Sequence, residues 1–376
     1  MKISIFASIG AQNLGDELIL KNEIKLLKKE YGEDTKFRVF TYDKKNPFFL
    51  DDNVVYSEYF PIGIRKKRNI FRNIVNFFVF LFSTIRADLI VIGGGGIIYD
   101  EEVQSTKNPL DSWIFRRRFF RLFFKKVYFF RVGINISGYN KDINFGFSEG
   151  KLSESQSLIG GVFEGAKSNN IYLSKNLKKV KKIFKNSYKI EVRDNYSFEL
   201  LKSLGINSNI EKDPVFYDDG ELVTKKSIIG TVSSYHFDKT LFRDFDLSGK
   251  KIGLAIRAGY FVEKSNISSR MEEGRIREVI NYLVGQGAEV VLLPHSFHDS
   301  DELANDFLFL TNFVGETGVS IKQDMNEVYE TYKNKEIDIC VAMRLHSIIL
   351  SHVYEIPFIG LSYSTKTDEV LNELKK

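Results

Sequence analysis

Arg344-Leu345-His346 follows an apolar run ending in Val341-Ala342-Met343. A guanidinium binds an oxyanion through a fork of donors, and an imidazole beside it can give or shuttle a proton. If the segment is still extended, alternation puts Arg344 and His346 on one side. Asn13-Leu14-Gly15-Asp16-Glu17 is a glycine turn leading into a helix start, where backbone N–H groups can hold an anion. Asp16 is then either the helix cap or a base facing a cleft. Gly93 to Gly96 follow Leu89-Ile90-Val91-Ile92, so backbone can approach a ligand closely at Gly94 and Gly95; a tight strand-to-helix turn is the plainer reading. Arg193, in Val192-Arg193-Asp194, offers a fork for carboxylate or phosphate, or a surface Arg–Asp pair. His295, after Leu293-Pro294, can line the same cleft.

These residues need a scaffold that brings strand ends together. Apolar runs at Lys2–Ala7, Phe37–Thr41, Ala87–Ile92, Lys126–Val132 and Tyr188–Val192 predict strands, and an amphipathic helix is expected over Asp16–Tyr31. A second series has strands at Lys251–Ile256, Val290–Leu293, Asp338–Ala342 and Phe358–Leu361. Between them fall helices at Met271–Gly285, Asn326–Asn334 and Ser347–Val353. Such alternation predicts an α/β protein with parallel, doubly wound sheets, and two similar halves with an intervening cleft are the simplest architecture. The expected domains are 1–220, containing an irregular polar segment at 138–190, and 221–376. Phe145–Lys167 reads as a mobile loop or insertion. In open α/β sheets ligands sit beyond the C-terminal strand ends, where these residues cluster.

Composition narrows the class. The 376 residues, 43% hydrophobic and 27% charged, suit a globular chain of two domains. The single cysteine, Cys340, excludes an intrachain disulfide and reads as a buried small hydrophobe. No His/Cys/Asp spacing resembles a zinc site, so no metal is expected. There is neither a signal-peptide pattern nor an apolar run of membrane-spanning length, so a cytoplasmic protein is expected, at most peripheral on the inner face of the membrane. Residues 61–131 nonetheless hold 14 Lys/Arg against 5 Asp/Glu, and 12 of them are Phe. Modelling Trp113–Lys126 as a helix mixes Arg and Phe around its circumference. It can lie on an anionic membrane, or cover a sheet with a basic outer face.

Taken in order, Asn-x-Gly-Asp-Glu, the polyglycine strand end, Val-Arg-Asp-x-x-Ser, Asp213-Pro214 and Arg-Leu-His before a helix resemble the polysaccharide pyruvyl transferase family. The likeness runs from about Lys2 to Lys366, apart from 138–190. It implies two Rossmann-like halves and transfer of the pyruvyl group of phosphoenolpyruvate to two hydroxyls of a sugar, usually as a cyclic ketal. By resemblance, Asp16 is the base, His346 the general acid, and Arg193, Arg344 and Lys366 hold the donor's carboxylate and phosphate, with His295 nearby. Asn13, Gly15, Gly94 and Gly95 would face the acceptor. Phosphoenolpyruvate is the co-substrate and no cofactor is implied. The acceptor would be a cell-envelope or exopolysaccharide glycan, free or lipid-linked, and no nucleic acid is expected. A GT-B-like protein often has a last helix crossing back to the first domain; with the chain ending at Lys376, none is expected here. Two other classes remain open: a nucleotide-sugar glycosyltransferase on the same architecture, and a non-catalytic glycan- or phosphate-binding protein.

Overall fold

The computed structural model describes residues 1–60, 70–100, 108–137, 139, 163–224, 229–233, 237–243, 245–257, 269–298, 305–315, 317–362 and 365–374. It divides into two compact units. The first is Met1–Ser8, Leu27–Lys45 and Leu50–Asp213; the second is Ile9–Leu26, Asn46–Phe49 and Pro214–Lys376.

The first unit holds strands β1 (Lys2–Phe6), β2 (Lys36–Thr41), β3 (Val54–Glu58), β4 (Leu89–Ile92), β5 (Gly95–Tyr99), β6 (Lys126–Asn135), β7 (Lys189–Val192) and β8 (Asn209–Ile210). Their order is β3-β2-β1-β4-β6-β7-β8, with β5 also paired to β6, and every pairing is parallel. Helix α1 (Leu14–Tyr31) runs from the second unit into the first, and α2 (Ile70–Arg86), α3 (Pro109–Leu122), α4 (Phe163–Phe184) and α5 (Asn195–Ser203) lie within the first. The core is aromatic. Phe6 stacks on Phe40 with centroids 4.3 Å apart, and Phe80 meets Phe6 edge-on at 6.0 Å. Such pairs add to the area they bury.

The second unit contains the two-residue strands β9 (Tyr217–Asp218) and β10 (Glu221–Leu222). Then come β11 (Ile229–Ser233), β12 (Lys251–Ala255), β13 (Glu289–Leu292), β14 (Val319–Ile321), β15 (Ile339–Ala342) and β16 (Phe358–Leu361). These six form a parallel sheet, ordered β11-β16-β15-β12-β13-β14. The helices are α6 (Ser269–Gly285), α7 (Asp306–Thr311), α8 (Met325–Lys333), α9 (Leu345–Val353) and α10 (Thr365–Leu374). Two parallel-sheet α/β units are thus present, as the strand–helix alternation predicts.

Several expectations are corrected. The boundary falls at Asp213/Pro214 rather than 220, and Ile9–Leu26 packs with the second unit. The reason is burial. Leu14, Leu18 and Ile19 enter a cluster with Val215, Ile348 and Ile349, and Asn22 Nδ2 donates to the carbonyls of Pro214 and Tyr217, both at 2.9 Å. Most of the expected loop Phe145–Lys167 lies outside the described residues, but α4 is already helical from Phe163. Helix α10 packs within the second unit, where its Leu371 is buried in the core.

Helix α3 turns one side inward. Trp113, Arg116, Arg117 and Phe120 are buried. Arg116 Nε donates to the Phe60 carbonyl and its guanidinium lies over the Tyr59 and Trp113 rings. Arg117 donates to the carbonyls of Ile183 (2.7 Å) and Lys185 (2.8 Å), satisfying the C-terminal end of α4. Two of its three consecutive arginines are therefore spent inside the protein.

Candidate active site

The second unit's strand ends set the site. Register pairs Ala255 with Ala342, and Leu254 with Leu292. Arg257, Arg344 and His295 therefore leave three adjacent strands, β12, β15 and β13, at the same level. Arg344 is the N-cap residue of α9, extended at φ −70° and ψ 136°, and no side chain caps that helix. His346 is already in its first turn. The segment is thus not extended through His346, and the two side chains share a helix start instead of a strand face.

Arg344 is held from behind. Its Nε donates to Asp306 Oδ2 at 3.0 Å and its Nη2 to Asp306 Oδ1. Asp306 is fully buried at the start of α7. Burial raises its carboxyl, while the charges of Arg344 and Arg257 and the His295 N–H favour the ionised form. Neither Asp306 nor Arg257 stands among the sequence candidates. Arg257 was findable as the first polar residue after an apolar strand. Asp306 has no such signal.

The N-terminal motif arrives beside this group. Asn13 bridges Ser296 in antiparallel fashion, Leu14 N donates to the His295 carbonyl at 2.9 Å, and Phe297 N to that of Gln12 at 2.9 Å. Gln12 takes a left-handed φ of 57°, an uncommon geometry for a residue with a side chain. Asn13 caps α1, its Oδ1 accepting from Gly15 N at 3.0 Å, and the Glu17 carboxylate accepts from Gly10 N at 2.8 Å. Asp16 is therefore not the cap; it is a half-buried carboxylate of the first turn. A Cβ built on Gly15 would lie 1.7 Å from His346 Nδ1. Glycine is required here because the imidazole occupies the space of a side chain. The Asn-x-Gly-Asp and Arg-Leu-His motifs are thus parts of one structure.

His295 departs from the role expected for it. It is 2% exposed, and its Nε2 lies 3.0 Å from the Tyr332 hydroxyl. Burial, reinforced by the charges of Arg344 and His346, holds its pKa well below 6.5. A neutral ring cannot supply positive charge to a donor; it supports the loop that receives Leu14. Tyr332 also meets Cys340 Sγ at 3.5 Å, and burial pushes that thiol up to about 11. Cys340 is the buried hydrophobe expected. Lys366 opens α10, after the strand neighbouring β15, and its side chain lies outside the described residues.

The remaining candidates belong to the first unit. Arg193 Nη1 donates to Asp213 Oδ2 at 2.6 Å, with both side chains under 10% exposed. Its partner is thus Asp213 rather than a surface neighbour. Asp194 caps α5, accepting from Ser197 N at 2.7 Å. A Cβ on Gly133 would come within 3.2 Å of Arg193 Nε and 3.4 Å of the Gly95 carbonyl. Gly94 and Gly95 are buried, and Gly95 needs its φ of 96°. The glycine run leads from β4 into β5, not into a helix. Arg193, paired with Asp213, packs against Gly133 beside that run.

Breaking the Arg344–Asp306 pair leaves a buried charge uncompensated. Asp306→Ala is expected to cost about 3–5 kcal/mol in urea unfolding. In the milder Asp306→Asn, the KM for an anionic donor should rise more than kcat falls. An unchanged KM would show that Asp306 serves packing alone.

Among the described residues, no group of three or more His, Cys, Asp or Glu could hold a metal ion. No helix among them is long and apolar enough to cross a membrane.

The strand-end site thus groups Arg344, His346, Arg257 and His295 in an α/β unit of parallel-sheet architecture. The model of the polysaccharide pyruvyl transferase family matches residues 13–365, and the chain belongs to that family. Membership makes it a transferase and implies a glycan acceptor. No curated protein sequence matches the chain. Similar solved structures include a protein described as a candidate UDP-N-acetylglucosamine 2-epimerase from Listeria monocytogenes. It has 9% identity and a TM-score of 0.44, covering 100% of this chain and 88% of that one. Another is the E. coli heptosyltransferase WaaC with ADP-2-deoxy-2-fluoro heptose, with 12% identity and a TM-score of 0.40, covering 96% and 88%.

Proposed function

We propose that the protein moves the pyruvyl group of phosphoenolpyruvate onto two hydroxyls of a sugar in a cell-envelope or exopolysaccharide glycan, releasing phosphate. The observation that carries this reading is the His346 ring seated on Gly15 at an uncapped helix N-terminus, beside a braced Arg344. Phosphoenolpyruvate carries close to three negative charges in a small volume, a carboxylate plus a phosphate of nearly two. Arg344, Arg257 and the N–H groups opening α9 converge in the way such a ligand needs. Lys366, on the next strand's connection, is assigned to the phosphate.

His346 then protonates the methylene carbon, making the adjacent carbon oxocarbenium-like. Asp16 takes the proton of the first sugar hydroxyl, whose oxygen attacks that carbon. A carboxylate in the first turn of a helix is favoured by the helix dipole. Attack by the second hydroxyl closes the ketal. The C–O bond to phosphate breaks, and the departing phosphate carries the second hydroxyl's proton.

Calorimetry tests the donor. Phosphoenolpyruvate should bind the wild-type chain, and Arg344→Ala should weaken it about ten- to a hundredfold, the loss of charged hydrogen bonds worth about 1.5–3 kcal/mol. Unchanged affinity would remove Arg344 from the donor site. Binding of uridine or guanosine diphosphate, with none of phosphoenolpyruvate, would favour a nucleotide-sugar glycosyltransferase instead.

A further inference from the structure

Helix α2 has two apolar faces, and only one is covered. Phe80 is fully buried among Phe6, Phe40 and Phe120. On the other side Phe71, Ile74, Val75, Phe78, Phe82 and Ile85 are between 42% and 82% exposed. Their spacing of three and four residues puts them on a single stripe along the helix. A monomer rarely leaves so continuous an apolar surface open to water without a use for it.

The charge beside the stripe says what it fits. A cleft of about 720 Å³ runs between α2 and the β1-β2-β3 edge. Its charged lining residues are Lys2, Lys36, Arg38 and Arg86, against one acid, Asp52. At the end of the helix, Lys125 Nζ donates to the carbonyls of Ile85 (2.7 Å) and Ala87 (2.8 Å). Next to Lys125 in the chain, Phe124 is 94% exposed and holds a left-handed φ of 51°. In sequence, Arg65-Lys66-Lys67-Arg68 come just before the helix. An aromatic stripe bordered by cations matches a bilayer of anionic lipid, with rings at the acyl boundary and cations among the headgroups.

We propose that the α2 face, extended by Phe124, seats the protein on an anionic lipid bilayer. Helix α2 belongs to the first unit and Arg344 and His346 to the second, and the proposal does not depend on the pyruvyl-transfer reading. It centres the membrane contact on α2 and keeps only Phe124 of the Trp113–Lys126 segment, where Arg116 and Arg117 are buried.

Vesicle flotation of the full chain tests it. The wild type should float with vesicles rich in phosphatidylglycerol, less at high salt, and not with pure phosphatidylcholine. Phe78→Asp with Phe82→Asp should cut flotation by about tenfold or more at an unchanged melting temperature. Phe82→Trp keeps the face apolar and guards against misfolding of the double variant; its emission should shift to the blue on adding anionic vesicles. A wild type that stays with the buffer, or a Phe82→Trp spectrum unmoved by vesicles, would overturn the proposal. So would a wild-type dimer, dispersed by the Asp substitutions and indifferent to lipid, since the face would then belong to a second copy of the chain.

Discussion

His346→Ala is expected to lower phosphate release from phosphoenolpyruvate by about 10²–10⁴-fold in the presence of acceptor, the usual worth of a positioned general acid. Donor binding should survive, because Arg344 keeps its brace on Asp306 and the N-terminus of α9 is backbone. The neighbouring histidine cannot substitute. His295 is buried and neutral, and its Nε2 faces Tyr332. Single-turnover phosphate release beside a calorimetric titration separates the two effects. Near-wild-type turnover would end the acid assignment; lost binding would make His346 a donor ligand instead.

Gly15→Ala should have an effect of the same order with a much smaller chemical change. The added methyl would sit 1.7 Å from His346 Nδ1, where no real contact exists, so the ring must leave. The backbone around it is held by Asn13, Leu14 and Phe297, which leaves little room for the loop to yield. Overpacking of this kind typically costs about 1–3 kcal/mol of stability, whereas activity should fall by orders of magnitude. A cycle with His346→Ala isolates the cause: residues acting as a unit are not additive. The double variant should be no slower than His346→Ala alone. Multiplying losses would mean that Gly15 matters for something other than the imidazole.

The strand ends were legible because buried parallel strands read as continuous apolar runs. Leu89–Ile92 and Ile339–Ala342 are buried throughout. In the second unit, the residues just after Ala342 mark the candidate site by topology alone. Three features were hidden for physical reasons. The two-sided apolarity of α2 blurs the stripe that marks an ordinary surface helix, so the helix goes unread until one face is seen to be covered. Asp306 has no local pattern, since its role exists only through a guanidinium distant in sequence. The packing of Ile9–Leu26 with the second unit depends on which partners bury Leu14 and Leu18, and periodicity reveals that such residues are buried but not against what. Arg117 of α3 was hidden in a similar way: its burial depends on carbonyls at the end of α4, which a basic aromatic run does not reveal.

The most direct test of the account is a mass balance. Phosphoenolpyruvate carrying a carbon label in its pyruvyl group would be incubated with the protein and a panel of cell-envelope glycans, and both products followed by NMR. A labelled ketal carbon on a glycan with one equivalent of inorganic phosphate is expected, both missing in His346→Ala. Turnover of a nucleotide sugar on the same glycans, with the label remaining in phosphoenolpyruvate, would contradict it.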